Sequence, residues 1–199
     1  SQKQAFSAVG QARLMMIYQK IFSEYNITTA QVLMTKSTMI EDDARYNAQN
    51  TFDELLALGA VPIVNENDSV SYTEIESEDR LFGDNDMLSA VVAILCRAKR
   101  LVIFSDINGL YDADPRLYPN ANLISKIDNI DSAVYSLAGG AGSRRGTGGM
   151  KTKLQAARLA TAQGIDTIIT NGKSPKSLYD IIKGESVGTL FVGKSTMMD

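Results

Sequence analysis

The sequence predicts an α/β fold in which a mainly parallel sheet is covered on both faces by helices. Short apolar runs of strand length alternate with longer segments of helical periodicity along the whole chain. Gly, Pro and Asn punctuate the junctions between them. With 199 residues, 44% hydrophobic and 22% charged, the chain has the size and make-up of one domain able to bury a continuous core.

Each element has its own signal. Over residues 4–25, Ala5, Phe6, Val9, Leu14, Met15, Ile17, Ile21 and Phe22 recur at helical spacing. Residues 31–35 form a short apolar run, read as a buried strand. Residues 41–58 read as a helix with Phe52, Leu55, Leu56 and Leu58 on its inner side, ended by Gly59. Val61, Pro62, Ile63 and Val64 make the next strand, and residues 65–82 are polar and irregular. A helix over 84–98 and a strand over 101–105 follow. The turn pairs Asn108-Gly109 and Asp114-Pro115 then mark a loop. Beyond it lie a short helix at 131–137 and a stretch with six glycines in the eleven residues 139–149. Helices at 150–163 and 175–183 then alternate with strands at 166–170 and 189–192.

Composition narrows the chemistry. The formal net charge of −3 lacks the Lys/Arg excess of a nucleic-acid binder, so no nucleic-acid partner is expected. No run of 18 apolar residues exists to span a membrane, and no signal peptide is visible; a cytoplasmic protein is expected. The single cysteine, Cys96, ends the apolar stretch 90–96 and reads as a core thiol. There is no histidine. Catalysis must therefore rest on carboxylates, lysines, backbone amides and a hard cation.

Three clusters of residues could carry that chemistry. Asn65-Glu66-Asn67-Asp68 follows an apolar strand, and four polar side chains in a row should stop the sheet. A plain polar turn explains them as well as a pocket rim does, with a carboxylate for an ammonium group and amides for a carboxylate. Gly83-Asp84-Asn85-Asp86 opens the next helix; capping accounts for one or two of these residues but does not require three Asx side chains. Gly146-Thr147-Gly148-Gly149-Met150-Lys151-Thr152-Lys153 leads into another helix. Glycines there let the backbone approach phosphate oxygens, and a lysine in the first turn can reach a moving phosphoryl group. A flexible loop with solvated lysines is the competing account, and Arg144 and Arg145 fit either. A fourth match is a decoy. Residues 188–195 fit the pattern GxxxxGK[ST], but Thr189, Leu190, Phe191 and Val192 favour a strand where that motif needs a loop.

Taken together these segments resemble the amino acid kinase family, in particular its glutamate-phosphorylating branch. The residues that carry the resemblance are Lys3-Gln4-Ala5-Phe6-Ser7-Ala8-Val9-Gly10-Gln11, Arg45-Tyr46-Asn47-Ala48-Gln49-Asn50-Thr51, and residues 61–68, 82–90, 105–116 and 146–157. They follow the family's order through nearly the whole chain. The resemblance implies a three-layer α/β/α sandwich and ATP-dependent phosphorylation of a carboxylate, with Mg²⁺ as cofactor. It implies that Asn65, Asp68 and Asn85 bind glutamate. Ser105 and Asp106 would contact the nucleotide, with Ser replacing the family's Thr. Thr147, Gly148, Gly149, Met150, Lys151, Thr152 and Lys153 would form the ATP-binding loop. Lys153 would stabilise the transferring phosphoryl group, and Asp86 would organise the catalytic lysines. No protein metal ligands are assigned.

The resemblance carries expectations about the whole protein too. Residues 1–199 are expected to form one amino acid kinase domain without the RNA-associated PUA module found in many relatives. The family opens with a strand, a Gly-rich turn, a second lysine and a Ser-Ser-Gly-Ala segment, none of which precedes Ser1. The chain as given is therefore expected to be inactive alone, with its natural N-terminus upstream. The segment 69–81 looks longer than the family's usual link, beside the expected site of feedback inhibition by proline. A homo-oligomer is expected, for which the helices at 4–25 and 41–58 fit a subunit interface as well as core packing. N-acetylglutamate, aspartate, carbamate and UMP are the alternative acceptors, and a glutamate- or proline-binding remnant without catalysis is the alternative class.

Overall fold

The computed structural model describes residues 2–35, 38, 41–70, 85–138 and 147–194, of Thr147 and Gly148 the backbone alone. They form two compact units, residues 1–88 and 89–199.

The first unit is built from α1 (Gln2–Ser23), β1 (Thr29–Met34), α2 (Asp42–Ala57) and β2 (Val61–Glu66). β1 and β2 pair in parallel from Thr29↔Val61 to Met34↔Glu66, with α2 as the crossover. Asp42 and Asp43 occupy the first turn of α2, where carboxylates favour the helix dipole. Gly59 ends the helix at φ 70, and Gly59 N–H and Ala60 N–H bond back to Leu56 and Leu55 carbonyls, satisfying groups the helix leaves open. Ala44, Ala48, Phe52 and Leu55 form the inward stripe, with Phe52 fully buried. Leu56 and Leu58, expected on that inner side, are exposed; Leu58 is the C-cap, past the last helical residue.

α1 divides its faces unexpectedly. The half-buried positions are Gln4, Ser7, Gln11, Met15, Tyr18 and Phe22, at spacings of three or four. Phe6, Val9, Met16, Ile17 and Ile21 point away and are more than half exposed. β2 also runs further than expected. Asn65 and Glu66 stay in the strand because the ladder continues through Leu33↔Asn65 and Met34↔Glu66, outweighing weak strand propensity.

The second unit holds most of α3 (Asn85–Leu95), then β3 (Arg100–Ser105), β4 (Lys126–Ile127), α4 (Ser132–Ala138), α5 (Thr147–Ala162), β5 (Asp166–Asn171), α6 (Ser177–Lys183) and β6 (Thr189–Phe191). Its sheet has the order β3-β5-β6-β4. β3/β5 and β4/β6 are parallel, whereas β6 runs antiparallel to β5. The return is made by a short helix and a turn with left-handed glycines, Gly184 at φ 86 and Gly188 at φ 65. A Cβ on Gly188 would lie 2.2 Å from the Ile169 carbonyl oxygen, so the glycine is a packing requirement. Thr189–Phe191, inside the phosphate-loop match, is thus a strand, as its residues suggested, and Ser195 lies outside the described residues. β5 is central, with its four inner positions buried, and α5 lays Leu154, Ala156, Ala157 and Ala160 into the core of this unit. Cys96 sits just beyond α3 and is only half-buried, not the core thiol expected. Asp131 caps α4, its Oδ1 accepting from Val134 N–H at 3.0 Å.

The segment between β3 and β4 is tied down by side chains. The buried Thr189 hydroxyl accepts from Leu110 N–H at 2.8 Å and donates to the Ile124 carbonyl at 2.6 Å. Further out, Asp112 accepts from Asn122 N–H at 2.8 Å and from its side-chain amide at 3.1 Å. Asp114 takes two bonds from the Arg116 guanidinium, at 3.1 and 3.0 Å. Hydrogen bonds from the Asn122 side chain hold the Asp112 carboxyl below its ordinary value, and those from Arg116 do the same for Asp114.

Two outcomes are expected. Thr189→Val keeps the volume but leaves Leu110 N–H buried without its acceptor, so denaturant unfolding should show a loss of about 1–3 kcal/mol. An unchanged midpoint would contradict the tether. Because both carboxyls titrate below 3.8 when folded, their contribution is complete above that value and fades as pH falls through the lower folded values. Hydrogen-exchange protection of the Asn122 amide should therefore hold down to that pH and disappear beneath it; loss already in the neutral range would contradict the assignment.

Candidate active site

In the first unit, the ladder closes where Asn67 N–H donates to the Met34 carbonyl at 2.8 Å, and residues 68–70 turn away. At that end of the strands lies a cavity of about 200 Å³ lined by Ser7, Gln11, Gln31, Glu66, Asn67 and Asp68, among others. Ser7 Oγ donates to Asp68 Oδ2 at 3.3 Å. Asn65 Nδ2 donates to Gln11 Oε1 at 3.0 Å, and Gln11 Nε2 donates to Gln31 Oε1 at 3.4 Å. Glu66 N–H donates to Asn65 Oδ1 at 3.0 Å. Two carboxylates and several amides thus share one small space, the complement of a group carrying both an ammonium and a carboxylate. Asp68 lines this cavity, whereas Asn65 does not and reaches it only through its bond to Gln11.

In the second unit, β3 and β5 end side by side at Ser105↔Asn171. Gly172 N–H donates to the Ser105 carbonyl at 2.8 Å, and Asn171 Nδ2 to Asn108 Oδ1 at 2.8 Å, fixing the chain as it leaves both strands. Ser105 Oγ donates to Asp106 Oδ1 at 3.1 Å. Beyond them opens a cavity of about 510 Å³ whose walls include Ser105, Asp106, Tyr111, Arg116, Gly149 and Met150. A Cβ on Gly149 would meet no other atom within 4 Å, so the protein's own packing does not demand glycine there. Arg116 is already engaged by Asp114, which raises its guanidinium further above the ordinary value and fixes its plane at the cavity wall.

The segment expected as a loop is the start of a helix. Thr147, Gly148, Gly149, Met150, Lys151, Thr152 and Lys153 form the first two turns of α5. Two glycines cost such a helix about 2 kcal/mol relative to alanine, and the burial of Leu154, Ala156, Ala157 and Ala160 further along offsets that. Thr152 Oγ1 donates to the Gly149 carbonyl at 3.1 Å, within the opening turn. Lys153 follows Gly149 and Met150 by four and three residues and so shares their face of the helix, while Lys151 is exposed. Lys153 itself is half-buried and is not among the cavity's walls, which α5 reaches through Gly149 and Met150.

Asn85 and Asp86 occupy the first turn of α3 and line neither cavity. Asp86 is half-buried there, a favourable place for a carboxylate. Gly83, Asp84, Arg144, Arg145 and Gly146 lie outside the described residues. Among the polar wall residues to which the sequence reading gave no site role are Ser7, Gln11, Gln31, Tyr111 and the Asp114-held Arg116. Ser7 and Gln11 carried a signal, polar residues one turn apart in an apolar helix. Gln31 carried none, because it opens a run otherwise read as a buried strand.

The sequence matches the profile of the amino acid kinase family over residues 1–171. It is 50% identical over 193 residues to the glutamate 5-kinase of Clostridium perfringens, covering 97% of this chain and 71% of that protein. It is 48% identical to the glutamate 5-kinase of Clostridium tetani, covering 96% and 69%. It is also 50% identical to that of Herpetosiphon aurantiacus, covering 99% and 52%. In fold it resembles a UMP kinase from Bacillus anthracis, with a TM-score of 0.56 at 17% identity over 90% of this chain and 64% of that one. An isopentenyl phosphate kinase from T. acidophilum gives 0.57 at 21% identity over 92% and 66%. The fold is therefore that of these kinases, and the chain spans about two thirds of their length. On the family match and the extent of shared sequence, the chain belongs to the amino acid kinase family, where it groups with the glutamate 5-kinases.

Proposed function

We propose that this protein transfers the γ-phosphoryl group of ATP to the side-chain carboxylate of L-glutamate, giving L-glutamyl 5-phosphate for proline biosynthesis. The observation that carries the reading is the cavity at the end of β3. It joins Ser105 and Asp106 to the opening turn of α5, with Lys153 on the same helical face. Agreement with relatives named glutamate 5-kinase supports the choice of acceptor.

The roles follow from charge and position. A glutamate carboxyl has a pKa near ~4.3, so at neutral pH it is already an anionic nucleophile and needs no general base. A chain with no histidine suits that reaction. Asp68 would take the substrate ammonium, and Asn65 and Asn85 would donate amide N–H groups to its carboxylates. Ser105 and Asp106 would hold the nucleotide. The turn from Thr147 to Thr152 would offer backbone N–H groups to its phosphates, and Lys153 would neutralise charge gathering on the transferred group. Asp86 would orient lysines through its charge.

Mg²⁺ would arrive with the nucleotide. It would supply charge neutralisation on the phosphates. The two units together are proposed to make one kinase domain in a cytoplasmic homo-oligomer, with the exposed apolar face of α1 as one surface available to a second subunit. Proline would compete near the amino-acid pocket as a feedback inhibitor. No helix among the described residues is long and apolar enough to cross a membrane.

Two measurements on the intact protein test the reading. ADP release should require L-glutamate and stay at background with aspartate, N-acetylglutamate, carbamate or UMP; release with one of these alone would overturn the acceptor. Lys153→Ala should lower kcat by roughly 100-fold or more while the circular dichroism spectrum is unchanged, since one lost charge contact costs about 3 kcal/mol of barrier. An unaltered kcat would remove Lys153 from the mechanism.

A further inference from the structure

Resting on the glutamate reading above, we infer that Gln11 is a positioning residue for the acceptor, fixing through one hydrogen-bond chain which face Asn65 offers to the bound amino acid.

An asparagine amide can present either its oxygen or its nitrogen to a given neighbour, and the two orientations are nearly equal in shape. Here the choice is made by a group with no freedom. Glu66 N–H is a backbone donor and nothing else, and it points at Asn65 at 3.0 Å, so Asn65 must turn its oxygen toward it. That leaves Asn65 Nδ2 as the donor on the other side, where Gln11 Oε1 receives it at 3.0 Å. Gln11 must then turn its own nitrogen outward, and Gln31 Oε1 accepts from it at 3.4 Å. The chain from Glu66 N–H to Gln31 has one direction only.

Counting bonds shows what remains for a ligand. Asn65 has two N–H groups and two lone pairs on its oxygen. One of each is used, leaving a single N–H whose direction is set by the bond to Gln11. Asn65 is not itself a wall of the small cavity, but its partner Gln11 is, beside Asp68, so this N–H lies one hydrogen bond behind the space that an acceptor carboxylate would enter. Ser7, one turn before Gln11, does the matching job for Asp68. Its hydroxyl occupies Oδ2 at 3.3 Å and leaves Oδ1 for a cation. The inward stripe of α1 is polar over Gln4, Ser7 and Gln11, and becomes apolar at Met15, Tyr18 and Phe22. The polar half therefore serves the pocket, and the apolar half holds the helix down.

Without Gln11 the Asn65 amide keeps its bond to Glu66 but loses the partner that fixes its second N–H. Affinity for the amino acid should fall, and the phosphoryl-transfer step should not. The experiment is steady-state kinetics of the intact enzyme with Gln11→Ala, Asn65→Ala and the double variant. Gln11→Ala should raise the glutamate KM about three- to tenfold, the worth of one neutral hydrogen bond. The kcat and the ATP KM should stay within about twofold of the unmodified enzyme. In the Asn65→Ala background the same substitution should add nothing further, because its partner is gone. An unchanged glutamate KM, an ATP KM that rises as much, or effects that multiply in the double variant would each overturn the inference. If the unmodified enzyme releases no ADP with glutamate, the functional reading fails first and the inference falls with it. If it is active and Gln11→Ala is indistinguishable from it, only the inference falls.

Discussion

Bringing a carboxylate against a phosphoryl group means pushing two anions together, and that repulsion is the constraint the proposed chemistry must meet. At 4 Å, one pair of unit charges costs about 4 kcal/mol where the effective dielectric constant is near 20. The barrier is thus one of charge and position; the nucleophile is already ionised. Fixed N–H groups, a lysine and a divalent cation are the means by which a protein lowers it. The absence of histidine costs such a reaction nothing.

The fold supplies fixed positions through parallel strands that end together. β1 and β2 stop at Met34↔Glu66, and β3 and β5 at Ser105↔Asn171, and each pair has polar side chains just beyond. Such ends are where open α/β sheets gather ligands. Around the larger cavity the wall is held by side-chain bonds, one buried and one at the surface. The Thr189 hydroxyl grips the backbone on both sides of the loop, and the Asp114 carboxylate fixes Arg116. Around the smaller one a relay of amides does the same. Bonds that fix a side chain's orientation limit its motion, and fixed positions are what a charge-positioning site requires.

Much of this was legible in the sequence, because most elements are long enough to show their period. The order of helices and strands held, and Gly59 ends its helix as expected. Ser105, Asp106 and the opening turn of α5 do meet at one cavity. The failures have local causes. Lys126–Ile127 is too short a strand to show alternation. Asn65 and Glu66 have weak strand propensity, yet the neighbouring strand supplies a ladder that propensity does not see. Gly148 and Gly149 read as loop, yet tertiary burial of α5 carries the helix through them. Gln11 and Gln31 were invisible as a pair because twenty residues separate them, and only the packing of α1 on β1 makes them neighbours.

The central claim is that the acceptor carboxylate itself attacks the phosphoryl group. It is tested most directly by supplying L-glutamate with ¹⁸O in both side-chain carboxylate oxygens and trapping the product with hydroxylamine. Attack of hydroxylamine at the acyl carbon expels phosphate together with the oxygen that bridged carbon and phosphorus. The ³¹P spectrum should then show inorganic phosphate carrying one ¹⁸O atom. Phosphate free of the label, released at the rate of ADP formation, would mean that water is the acceptor and would contradict the account.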